Sequence, residues 1–216
     1  EERSVRSPYA ARNAGLAVAR GEILALTDAS CRPQPRWLEA GVAALERLDL
    51  AGGRVDFDLG PRPGPGEVVD ALFSVDVEEA IRHHRACMTG NLFVHRRVVD
   101  TVGPFDPWRR SGGDMIWTRR ATDAGFRLGF AAEAVVCYPA RPLGALLAKQ
   151  VRVGRGVPAV GRALGWGRTR VLGEILRGLL PPRPDALRDV LARRGRPAMS
   201  NHPIPLLWAV RWSCKV

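Results

Sequence analysis

The chain has 216 residues, 46% hydrophobic and 25% charged, with 33 Lys+Arg against 22 Asp+Glu for a formal net charge of +11. This composition excludes a disordered tail, and the length holds one medium domain or one domain with an appendage. Residues 1–140 carry 18 basic and 19 acidic side chains, residues 141–216 carry 15 basic and 3 acidic ones, so the chain is not a uniformly basic nucleic-acid binder.

In chain order, apolar positions at helical spacing predict a helix from Pro8 to Arg20, and Ile23–Thr27 reads as a short buried strand ending in a polar turn at Asp28-Ala-Ser30. Trp37 to Leu48 reads as a helix with Leu38, Val42, Leu45 and Leu48 on its apolar face, and Gly52–Phe57 as a strand. A Gly/Pro-rich loop precedes one helix over Glu67–Arg85, a strand over Asn91–His95 and a helix over Arg96–Val102. The Ser111-Gly-Gly113 loop opens a helix from Asp114 to about Ala124. Two strands, Phe126–Phe130 and Ala134–Tyr138, are followed by a helix over Leu143–Gly154. Beyond Gly156, Leu172, Ile175, Leu176, Leu179 and Leu180 repeat at helical spacing, with Arg168, Arg170 and Arg177 among the polar positions. Arg183–Val216 is Pro- and Arg-rich and weakly patterned. Strands alternating with helices indicate an α/β sheet covered by helices.

No run approaches the roughly 20 apolar residues that cross a bilayer. Cys31, Cys87, Cys137 and Cys214 are widely spaced and fit reduced thiols in a cytoplasmic protein.

In such a sheet, ligands gather where strand ends meet helix N-termini. Asp28 directly follows a strand, and Asp114 follows a Gly-Gly pair and opens a helix. Each alone reads as an Asx-turn or an N-cap.

Their surroundings are more specific. Tyr9-Ala-Ala-Arg-Asn-Ala-Gly-Leu-Ala-Val-Ala-Arg-Gly-Glu-Ile-Leu-Ala-Leu-Thr-Asp28, then Cys31, Pro33, Pro35, Trp37 and Leu38, resembles the helix–strand–D-x-D segment of the family 2 glycosyltransferases of the GT-A fold. Thr89-Gly-Asn-Leu-Phe-Val, Val102-Gly-Pro-Phe-Asp106, Ser111-Gly-Gly-Asp-Met-Ile-Trp-Thr-Arg-Arg120 and Lys149-Gln-Val-Arg-Val-Gly-Arg-Gly156 are similar to further motifs of that family in the same order, the last to exopolysaccharide-type members.

The resemblance implies a Rossmann-like mixed sheet flanked by helices, and transfer of a sugar from a nucleotide-sugar to an acceptor hydroxyl with inversion, in bacterial cell-envelope polysaccharide synthesis. It makes Asp114 the general base and puts Arg12 and Asp28 on the nucleotide. It places Gly90, Asn91, Trp117, Arg120, Gln150 and Arg152 around donor and acceptor, the acceptor being a glycan or lipid-linked. Asp28 is also the candidate ligand for a divalent cation, Mg²⁺ or Mn²⁺, although Ser30 stands where the second Asp of D-x-D is usual. The acidic pair of the family reads Gly113-Asp114.

The same comparison sets residues 1–156 as a partial catalytic domain lacking its first β-α-β unit, expected to bind donor weakly by itself. It leaves 157–216 as a basic appendage. The amphipathic helix of that appendage would either lie on an anionic membrane, placing the protein peripherally on the inner face, or pack on the catalytic domain. Its tryptophans are not interleaved for nucleic-acid stacking. A non-catalytic module of the same fold, holding a nucleotide-sugar or glycan, is the competing class.

Overall fold

The computed structural model describes residues 6–195, 197–199 and 201–215. Its element order is α1 (Pro8–Val18), β1 (Ile23–Thr27), β2 (Arg32–Pro33), α2 (Trp37–Ala44), β3 (Leu50–Asp58), α3 (Pro65–Phe73), α4 (Val77–His84) and β4 (Asn91–His95). There follow α5 (Arg96–Val102), α6 (Gly113–Asp123), β5 (Leu128–Pro139), α7 (Leu143–Ala163), α8 (Arg168–Leu179), α9 (Pro184–Arg194) and α10 (Ile204–Ser213), with a 3₁₀ turn at Pro197–Met199.

The sheet order is β1-β4-β3-β5-β2. β3 and β5 run parallel and the other pairs antiparallel. The carboxyl ends of β1, β3 and β5 therefore share one edge with the start of β4. Asp28 and Gly90 meet there because Thr27 pairs with Asn91.

Several elements differ from the sequence reading, each for a local reason. The strand break expected at 131–133 is a bulge inside one continuous β5: the partner of Gly53 is Ala131, but that of Arg54 is Val135. The Glu67–Arg85 helix is two helices. Asp76 caps α4 by accepting from the Glu79 N–H at 3.0 Å, while Arg194 donates to the Leu72 and Val75 carbonyls left free where α3 ends. On α2 the buried positions are Trp37 and Gly41, and Leu38 and Val42 face solvent. Gly41 lets the Phe93 ring lie against the helix, where any Cβ would overlap it.

Three apolar clusters line the sheet. One joins Tyr9, Leu24, Leu92, Phe105 and Trp117 under α1, α5 and α6. Another sets Trp37 on Phe93 at 5.0 Å beneath α2. The last contains Phe57, Val68, Leu72 and Leu146 together with Leu187, Leu207 and Val210, so α9 and α10 share a core with α3 and α7. Position 156 lies inside α7, which runs unbroken past Pro158 to Ala163.

Candidate functional site

Asp114 sits in the first turn of α6, after a helix entry that only glycine makes easily. Gly112 has φ +73° with Val160 of α7 against it. Asp114 Oδ1 accepts from the Met115 N–H at 3.0 Å and the Tyr9 hydroxyl at 3.3 Å, and the Thr89 N–H also bonds its carboxylate. Burial pushes its carboxyl above the usual carboxylate range, with the Met115 N–H, the nearby Arg12 charge and the Thr89 N–H opposing. Asp114 thus holds its proton more tightly than a solvated aspartate while remaining partly open to solvent.

Tyr9 was not legible as a site residue, since an aromatic on the inner face of a helix reads as core. Its hydroxyl also accepts the Gly113 N–H at 2.8 Å, and burial, followed by the Asp114 charge, pushes its pKa up to about 12. A Cβ at position 113 would lie 2.8 Å from the Tyr9 ring. The Gly113 departure from the acidic pair has a physical reason: Tyr9 fills that space and supplies a hydroxyl beside Asp114 instead.

One turn further along α1, Arg12 Nη2 lies 2.7 Å from Asp28 Oδ1, and its guanidinium is 5.3 Å from the Tyr9 ring centroid. A Cβ on Gly90 would sit 3.3 Å from Asp28 Oδ2, and the Thr27 hydroxyl donates to the Gly90 carbonyl at 3.0 Å. Arg12, Asp28, Gly90 and Asp114 are therefore brought to one place through Tyr9 and Arg12. Thr89, next to Gly90, is buried, and its hydroxyl has no hydrogen-bond partner among the described residues.

Other expected site residues lie elsewhere. Asn91 is buried: its amide donates to the Arg54 carbonyl at 2.9 Å and the Ala134 carbonyl at 2.7 Å, and its Oδ1 accepts from Trp37 Nε1 at 2.8 Å. It plugs the β-bulge, with both amide protons and one lone pair of Oδ1 used inside the protein. Trp117 is 1% exposed, stacked on Phe105 at 4.7 Å, with its Nε1 on the Gly103 carbonyl at 2.7 Å, so it is core and not cleft wall. Arg120 lies six residues along α6, about 9 Å of axial rise from Asp114, and its guanidinium bonds the Val102 carbonyl where α5 ends.

On α7, Arg152 donates to the Arg110 carbonyl at 3.1 Å and so braces the loop leading to Asp114, while Gln150 is half-buried. Lys149, beside them, turns to α3. The fully buried Asp70 accepts from Lys149 Nζ at 3.2 Å and from the Arg141 guanidinium and N–H at 3.1 and 3.0 Å. Burial lowers the Lys149 pKa.

The D-x-D position offers a cation little. Asp28 is its single carboxylate and is held by Arg12, and Ser30 is exposed and neutral. Among the described residues, no three or more His, Cys, Asp or Glu side chains gather into a set that could hold a metal ion. Hard divalent cations favour several anionic oxygens, so these residues alone do not fit one.

Comparison with known proteins bears on the family and the fold. Residues 2–67 match the model of the glycosyl transferase family 2. The chain is 40% identical over 213 residues to the glycosyltransferase AglE of the archaeon Haloferax volcanii, covering 96% of this chain and 70% of AglE. The mannosyltransferase PcManGT of Pyrobaculum calidifontis, solved with GDP-Man and Mn²⁺, superposes with a TM-score of 0.59 at 17% identity, over 97% of this chain and 65% of its own. A mycobacterial protein superposes with a TM-score of 0.52 at 18% identity, over 74% of this chain and 53% of its own. The likeness to these structures is one of fold, GT-A, and with the identity to AglE it places the chain among the family 2 glycosyltransferases.

Proposed function

We propose that the protein transfers a sugar from a nucleotide-sugar to an acceptor hydroxyl, glycan or lipid-linked, by single displacement, with Asp114 as general base and Arg12 and Asp28 on the nucleotide side. The observation that carries this reading is the grouping around Tyr9: the Asp114 carboxylate at a helix N-terminus accepts from the Tyr9 hydroxyl, and the Arg12–Asp28 pair lies beside that ring, at the strand ends where ligands of α/β folds collect. The acceptor O–H gives its proton to Asp114 as its oxygen bonds the anomeric carbon, and the C–O bond to the diphosphate breaks with its electron pair leaving on the nucleotide. Attack from the face opposite the leaving group inverts the anomeric centre. PcManGT, with GDP-Man bound, supports the donor class.

The test is nucleoside diphosphate release from UDP- and GDP-sugars by the natural-length protein, with the product anomer read by NMR. Inverted product is expected. Retained configuration would remove Asp114 from its role, and absence of release with every donor and acceptor would favour the binding-module alternative.

Tyr9→Phe keeps the ring and removes the hydroxyl that donates to Asp114. A base works only when ionised, and a donor to the carboxylate lowers its pKa. The acid limb of kcat/KM is therefore expected to move to higher pH in the variant, by about half a unit or more, with the alkaline side unchanged. An unmoved limb would show that the hydroxyl serves packing only.

For the metal, one occupied carboxylate predicts that Mn²⁺ alone binds the nucleotide-free chain no tighter than about millimolar in calorimetry. A cation would have to take most of its oxygens from the donor diphosphate and water.

A further inference from the structure

Amphipathic helices of globular proteins turn their apolar stripe inward, and α8 does the reverse. Gly178 lies against the Lys215 carbonyl at the end of α10, and Val171 approaches Gly161 of α7, so a narrow face of α8 packs on the protein. None of its residues is buried. Leu172, Ile175, Leu176, Leu179 and the following Leu180 are 45–61% exposed, and Trp212, 38% exposed, continues the patch by donating its Nε1–H to the Leu179 carbonyl at 3.3 Å.

We propose that this face docks the protein on an anionic lipid surface, with α8 lying in the interface plane. Charge selects the occupant. Residues 141–216 carry 15 basic and 3 acidic side chains, and Arg168, Arg170 and Arg177 on α8 are all exposed. A second copy would bring a like-charged region against this one, whereas anionic headgroups complement it. Base stacking is not what exposed leucines offer a nucleic acid. α8 has 12 residues, and no described helix is long and apolar enough to cross a membrane, so the helix lies on the bilayer and does not span it.

The test is co-sedimentation of the natural-length protein with phosphatidylcholine vesicles and with mixed phosphatidylcholine–phosphatidylglycerol vesicles. Binding to the mixed vesicles is expected to be about tenfold tighter or more, to weaken at high salt, and to fall about tenfold in the triple variant Leu172→Ser, Leu176→Ser, Leu179→Ser. These side chains are exposed, so the variant should keep the wild-type Tm. Leu38→Ser, at an exposed leucine of α2, should bind as wild type. Equal binding by the triple variant, or equal binding to neutral vesicles, would overturn the proposal. So would absence of vesicle binding together with a concentration-dependent dimer that the triple variant abolishes. The measurement reads no turnover, so its outcome and that of the transferase reading are separable.

Discussion

Asp114→Asn should lower kcat by about 10²–10⁴-fold, the range for loss of a general base, while donor KM stays within a few-fold. Asparagine keeps an oxygen that can accept from the Met115 N–H and the Tyr9 hydroxyl, so the geometry around the site is retained and only the proton acceptor is lost. The same substitution should raise stability at neutral pH. Burial raises the Asp114 pKa in the folded state, so the ionised form is penalised there relative to the unfolded chain. That penalty is full above the folded pKa and vanishes below the unfolded one. The Tm advantage of the variant should therefore shrink as pH falls through the carboxylate range. Such a trade, activity against stability, is what a desolvated catalytic carboxylate predicts and a structural cap does not. Retained turnover would place the base elsewhere, and a Tm loss at neutral pH would assign Asp114 to capping.

Motif order singled out Arg12, Asp28, Gly90 and Asp114; the last three lie where a strand ends or begins or a helix begins, and such ends are punctuated by Gly, Pro and polar residues, while Arg12, inside α1, was readable from its motif alone. Residues whose role depends on a neighbour distant in sequence were not readable. Tyr9 meets Asp114 across 105 positions, and the register slip that Asn91 fills joins β3 to β5. The C-terminal helices were missed for a different reason. Proline-rich sequence reads as loop, yet α9 begins at Pro184 and Pro205 sits in the first turn of α10, where a missing N–H removes no hydrogen bond. The outward leucines of α8 show the limit of periodicity: the pattern gives a stripe and not the direction it faces.

Asn91 separates a binding role from an architectural one. Asn91→Leu fills a similar volume but leaves the Arg54 and Ala134 carbonyls and the Trp37 indole N–H buried without their partner. At about 1–3 kcal/mol for each unsatisfied buried group, partly relieved by relaxation, the expected loss is about 3–5 kcal/mol. For a chain of this size that corresponds to a Tm fall of about 10 °C or more. Asn91→Asp should be worse, since an ionised carboxylate would face two carbonyl oxygens and could donate to neither. In both variants the bulge between Ala131 and Val135 loses the group that spans it, so amide exchange should accelerate first in β3 and β5 around Arg54. A residue bordering the sugar would behave differently, with donor KM raised and Tm unchanged. Gly53, where any Cβ would overlap the Asn91 amide, should share the phenotype: Gly53→Ala is expected to lower Tm without Asn91 being altered. If Asn91→Leu instead melts with wild type and binds donor weakly, the amide belongs to the donor site and the bulge is held by its own backbone.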